Sequence, residues 1–443
     1  MDAVLLARIQ FGFTAGFHFL FPPTTLGLSL IILLLESLYL AKKNEAYRTV
    51  SEFLVRIFGT VFVMGVATGI VLEFAFGNNW ARYSRTVGDI FGAPLAAEGI
   101  FSFFLESVFL GVLVFGRKRV SERTYRLSAF LVFLGAHLSG LWIIIANSWM
   151  QTPAGFKLAG SKALLTDFFA AAFNPSTLVR YVHTILAGWI TGSLIAAGIA
   201  AWFLIKRKHV EPAKLLLKPA LAVFAYAAIL MLFSGHGHSV QVAKTQPEKM
   251  AAFEALWQTQ RGAPLFLFGI PDPGARKTRL AVGIPGLLSL LVYGDAKAEV
   301  TGLDIYPENE KPPVVLPFVS YHIMIIFGMA FVGLGLAGIF LMARGRIWNA
   351  RWFLKILMIA APIPLLANEF GWIAAEVGRQ PWAVYRVLRT ADASSVVVPA
   401  GNILLTLVLF ILVYALIAAA GLKVIFGLIR KGPDEGASAL ERT

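Results

Sequence analysis

Long apolar stretches separated by short polar and basic ones run through the whole chain. Nine of them reach the length of about 20 residues that lets a helix cross a bilayer. They fall near 12–40, 53–76, 95–116, 127–149, 178–205, 217–234, 317–343, 352–378 and 398–428. The pattern predicts an all-α integral membrane protein built as a bundle of nine transmembrane helices. Spans one to six occupy 1–234, one long extramembrane segment occupies 235–316, spans seven to nine occupy 317–430, and 431–443 form a tail. The long segment is rich in Pro and Gly, as in GIPDPGARK and NEKPPVVLP. Structureless segments of this length are commonly functional or disordered.

An odd number of spans puts the termini on opposite sides. Lys and Arg concentrate after spans one, three, five and seven and in the tail, as in GRKRVSER (116–123) and KRKHVEPAK (206–214). The positive-inside rule then places the N-terminus outside, the C-terminus in the cytoplasm and segment 235–316 outside. The first apolar run is too long for a signal-peptide core and lacks a small-residue cleavage site.

Composition supports the membrane reading. The chain is 58% hydrophobic and 14% charged, with mean hydropathy +0.72, against roughly 25% charged residues in a soluble domain. A net charge of +14 would suggest nucleic acid in a soluble protein. Here the basic residues lie between spans, and no nucleic-acid partner is expected. The absence of cysteine excludes disulfides, thiolate-held clusters and c-type haem attachment. Any redox cofactor must be held by His, Met or carboxylates.

Ionisable groups inside spans are costly and rare, and several interrupt these runs. Glu369, Trp372, Glu376 and Arg379 recur at steps of 3, 4 and 3, so a helix carries them on one stripe. His18, Glu98, His183, Met324 and Glu376 come from five helices and all lie toward the outer ends of their spans, with Glu106 deeper on span three. Convergence at one depth marks a buried site. His and Met from two helices suit a haem iron held from both faces, and a single His or carboxylate suits an iron with an open position. The plain readings are a helix ion pair for Glu376 and Arg379, a hydrogen-bonded structural role for His137, a place near an interface or a local hydrogen bond for Glu36 and Glu73, and solvated loop positions for His236 and His238.

HFLFPPTTLG (18–27), LAAEGIFSFFLESVFLG (95–111), LSGLWIIIANSWMQTPAG (138–155), KMAAFEALW (249–257) and GWIAAEVGRQPW (371–382) together resemble subunit I of the cytochrome bd-type quinol oxidases. The resemblance runs from about residue 10 to 400, in order. It implies a subunit of the prokaryotic cytoplasmic (inner) membrane that oxidises quinol and reduces dioxygen to water. It implies three cofactors: a low-spin haem b, a high-spin haem b, and a haem d or a third haem b. His183 and Met324 match the axial ligands of the low-spin haem. His18 and Glu376 match the ligands of the two high-spin haems. Lys249 and Glu254 match positions tied to quinol oxidation, which makes 235–316 the quinol-binding loop. Glu98 and Glu106 match carboxylates on a proton path. Trp372 and Arg379 match residues lining the haem cluster. Implied partners are a homologous second membrane subunit, a small single-helix subunit, and membrane lipid.

Two departures stand out. His322 takes the place where the family usually has Arg, two residues before the axial Met, and is itself a possible competing ligand. The outer loop is also short, as in the short-loop group. Other classes to weigh are an electron-carrying b-type cytochrome with no open iron position, and an ion transporter using the buried Glu and Arg.

Overall fold

A computed structural model describes residues 2–433, so the tail expected over 431–443 lies mostly outside the described residues. Among the described residues, nine helical spans are long and apolar enough to cross a membrane: Ala3–Lys42, Glu45–Gly77, Ala81–Phe115, Glu122–Gln151, Thr177–Lys206, Val210–Thr245, Val315–Ala343, Arg351–Val377 and Ala400–Lys431.

Four spans differ from the sequence pattern, each for a local reason. Span one is two helices, Ala3–Phe19 and Pro22–Lys42. Pro22 and Pro23 lack the N–H groups a continuous helix needs. Its 40 residues amount to about 60 Å of helix, twice the hydrocarbon thickness. The break lets the first helix pack on spans two and nine while the second packs on spans two, four and five. Span three begins at Ala81 rather than near 95, because the mixed stretch 81–94 is amphipathic rather than uniformly apolar. It passes through a π-helical turn, Glu98–Phe103, before Phe104–Phe115. Span eight breaks at Ala361–Pro362.

Span six is the largest correction. It was expected to stop at 234, but the helix continues to Thr245. SGHGHS reads as loop because glycine and histidine interrupt the apolar run. Tertiary packing overrides that local preference, and the helix stops only before Pro247.

Glycine decides one crossing. A Cβ on Gly27 would sit 2.4 Å from the Gly188 carbonyl oxygen, and one on Gly192 2.4 Å from the Gly27 carbonyl carbon. Spans one and five therefore touch backbone to backbone, as small residues four apart permit. Around this contact Leu28, Leu194, Phe224 and Phe58 are fully buried.

At the basic end of the bundle, Arg117 donates to Glu36 at 2.8 Å and to Glu52 at 2.9 Å, and Arg48 donates to Glu52 at 3.0 Å. The Arg117 guanidinium also lies 4.1 Å from the Tyr125 ring. These contacts join spans one and two to the loop after span three and the start of span four. Glu36, expected to be locally hydrogen-bonded, is thus ion-paired and fully buried.

Segment 235–316 is largely structured. After the end of span six it forms a short helix Pro247–Phe253, a hairpin pairing Leu265–Asp272 with Lys277–Ile284, and a helix Leu287–Tyr293.

Candidate functional site

Spans five, six, seven and eight and the helix Pro247–Phe253 enclose a cavity of about 500 Å³, within the size range of ligand pockets. His183 and Met324 both line it. Ser234 lies 3.3 Å from His183 Nδ1, which fixes the ring. Gly371 leaves the space beside Met324: a Cβ there would lie 3.0 Å from the sulfur. Imidazole and thioether from two helices in an apolar pocket fit a low-spin haem iron.

His238 also lines this cavity, with its ring 5.4 Å from that of His183. The expectation that His236 and His238 are loop residues therefore fails, although His236 is exposed. Both sit on span six, and both face the cavity.

His322 lies between two backbone carbonyls. Its Nδ1 lies 2.9 Å from the Phe318 carbonyl and its Nε2 2.8 Å from the Phe266 carbonyl. Both nitrogens are engaged with backbone, and the second bond fastens the outer hairpin to span seven.

Lys249 and Glu254 line the same cavity as His183 and Met324. The short helix beginning at Pro247 aims Lys249 inward, where it donates to Gln151 at 2.8 Å and to Gln246 at 3.3 Å. Burial holds its amine well below the usual lysine value, and the nearby Arg180 adds to this. Glu254 is 1% exposed, and its Oε2 has no hydrogen-bond partner. Burial raises its carboxyl from 4.5 to about 8.

The Glu376 carboxylate lies beyond Trp372. Its Oε1 accepts from Asn147 at 3.2 Å and from Gln151 at 3.1 Å, and its Oε2 meets Arg379 at 2.5 Å. A carboxylate offers about four lone-pair positions, so three donors leave room for a metal. Arg379 is 5% exposed, and its Nη1 is unpartnered. The ion pair belongs to a network of spans four and eight and the Pro247 helix, rather than to one helix surface. The stripe itself divides. Glu369 approaches Gly16 and Trp372 packs edge-on against Phe19 at 5.0 Å, both on span one, while Glu376 meets span four and Arg379 meets Glu376 and the Trp382 carbonyl.

His18 closes the first helix of span one. Thr68 Oγ1 donates to the Met64 carbonyl at 2.9 Å, so at 3.0 Å it accepts from His18 Nδ1–H. That tautomer leaves the Nε2 lone pair available to a metal. Gly69 makes room for the ring, because a Cβ there would lie 3.1 Å from it. These donor sets fit haem irons with open positions.

Glu98 and Glu106 stand apart from the outer cluster. Ser139 donates to Glu98 at 2.8 Å, about 12 Å along span four from Asn147. Glu98 opens the π-helical turn, a feature frequent at functional sites. Glu106 is 6% exposed and packs on Gly135.

The residues missed from sequence are Arg180, Asn147, Gln151 and His238. Arg180 carried a readable signal, an ionisable group three residues before His183. The two amides carried none beyond their place in the stretch 138–155. His137, expected to be structural, is so: its Nδ1 lies 2.7 Å from the Phe133 carbonyl, and Trp189 donates to its Nε2 at 2.9 Å.

The family model for cytochrome bd terminal oxidase subunit I matches residues 6–433. This chain belongs to that family. The Bacillus subtilis cytochrome bd ubiquinol oxidase subunit 1 is 38% identical, over 98% of this chain and 95% of its own length. The Escherichia coli cytochrome bd-II ubiquinol oxidase subunit 1 is 33% identical, over 98% and 97%. The solved bd oxidase of Geobacillus thermodenitrificans superposes with a TM-score of 0.90 at 28% identity, covering 98% of this chain and 99% of that one. The bd oxidase subunit I described here is accordingly a multi-pass, haem-binding inner-membrane protein with quinol oxidase activity. It works with a second subunit.

Proposed function

We propose that this chain oxidises quinol at the outer face and reduces dioxygen to water with protons drawn from the cytoplasm. On this reading a membrane potential builds without a pump. The reading rests on one observation: Lys249 and Glu254 share a single cavity with His183 and Met324.

Quinol enters that cavity beside Lys249 and Glu254. Glu254 accepts a quinol proton as a general base, and Lys249 orients the head group by donating to an oxygen. His183 and Met324 would hold the low-spin haem b, and His18 and Glu376 would hold the high-spin haem b and a haem d or third haem b; these groups would supply the one-electron chemistry between quinol and dioxygen. Arg379 balances the Glu376 carboxylate, and Trp372 packs the wall between the cavity and span one. Glu106 passes protons toward Glu98 from the basic end of the bundle, which faces the cytoplasm. Each charge moved across 100 mV is worth ~2.3 kcal/mol.

Glu73, Ile70, Phe74, Ile100, Phe101 and Phe104 are exposed on spans two and three. A carboxylate facing lipid is costly, so this is the face the second subunit covers. A small single-helix subunit completes the complex.

The test is a reduced-minus-oxidised spectrum of the purified complex, with haem extraction and oxygen uptake driven by quinol. Haem bands with quinol-dependent oxygen uptake are expected. Haem without oxygen uptake favours an electron-carrying cytochrome. A complex without haem overturns the reading.

A further inference from the structure

Arg180 is 5% exposed, yet its Nε has no hydrogen-bond partner. It sits one turn before His183 on span five and lines the cavity that His183 and Met324 share. Its Nη2 donates to Asn147 Oδ1, and Asn147 donates in turn to Glu376. Its guanidinium lies 5.7 Å from the Trp372 ring. One buried cation therefore touches the low-spin haem pocket directly and the Glu376 pocket through a single amide.

An unpaired buried guanidinium is untenable, because burial of a charge demands partners. These contacts satisfy one edge of the group with a neutral amide and one face with an aromatic ring. The Nε–H remains to be met by an acceptor inside the cavity. A carboxylate is the acceptor that best matches a guanidinium, and haem carries carboxylate side groups. We propose that Arg180 is a positioning residue shared by two haem pockets. It holds a carboxylate of the haem bound between His183 and Met324, and its charge favours the reduced iron there. Through Asn147 the same residue orients Glu376. This rests on the haem reading above.

The test is a redox titration of the low-spin band in the intact two-subunit complex, with haem content measured in parallel. R180Q removes the charge. The expected result is an about tenfold weaker preference for the reduced form, a fall of ~59 mV for one electron, with the low-spin haem retained. R180K keeps the charge, and it restores the wild-type potential to within threefold in that preference. An unchanged potential in R180Q overturns the proposal, as does an equal fall in both variants. Should R180Q lose the haem, R180K decides. Retention of haem near the wild-type potential supports the charge role, and loss from both variants overturns it. Wild-type complex lacking haem would instead sink the haem reading itself.

Discussion

Glu254 is where a single side chain decides chemistry. With its carboxyl at about 8, it is protonated in the folded chain at neutral pH, whereas the unfolded chain ionises it near 4.5. The unfolded state therefore binds fewer protons between those values, and this group makes stability fall as pH rises across that window. Function runs the other way, because a base must be unprotonated to accept a proton. Quinol turnover is expected to rise as pH passes through about 8. Glu254→Gln removes that limb and lowers turnover by about 10²–10⁴-fold while haem content holds. A turnover profile of the variant that kept the limb would show another base at work. Glu106→Leu is expected to abolish most oxygen reduction with haem retained; unchanged turnover would remove it from the proton route. Glu106 was legible in sequence because a carboxylate is out of place in an apolar run, and Glu254 only through the resemblance carried by KMAAFEALW. Asn147 and Gln151 were not, because a polar amide near a span end signals nothing until its partners are known.

At the scale of elements, prolines and glycines explain most of what the apolar pattern missed. Hydropathy detects spans but is blind to the break at Pro22 and to a helix that continues through SGHGHS. Closeness of approach is similarly invisible until two helices are side by side. Gly192→Val drives a side chain into the backbone of span one and is expected to cost more than the 1–3 kcal/mol typical of overpacking. A sharp loss of assembled complex and of thermal midpoint checks this. Arg117→Met strands the fully buried Glu36. It is expected to destabilise the basic end by about 3–5 kcal/mol, read in the same thermal assay. Glu36→Gln in that background should recover part of the loss.

Across the whole molecule, the nine-span architecture and the order of the site residues were readable, but their grouping was not. Of the groups expected to converge at one depth, His183, Met324 and Glu376 fall into neighbouring sets linked through Lys249 and Gln151, and Glu98 stands apart. His183, Met324, Lys249 and Glu254 share one cavity, Glu376 and Arg379 form a network against span four, and Glu98 lies deeper on Ser139. Sequence position along a span fixes depth only as well as the helix start is known, and span three begins well before its apolar run.

That undivided cavity carries a thermodynamic obligation. If the proposed haem and quinol share this chamber, any influence between them must be mutual. If a quinol analogue beside Lys249 shifts the potential at His183 and Met324, reduction of that centre must change the analogue's affinity by the same factor. Binding measured against the oxidised and the reduced complex, compared with the titration shift, gives two independent readings of one coupling constant. Their agreement would make occupancy of the chamber a reporter of redox state, and an inhibitor placed there would be sensitive to how busy the respiratory chain is.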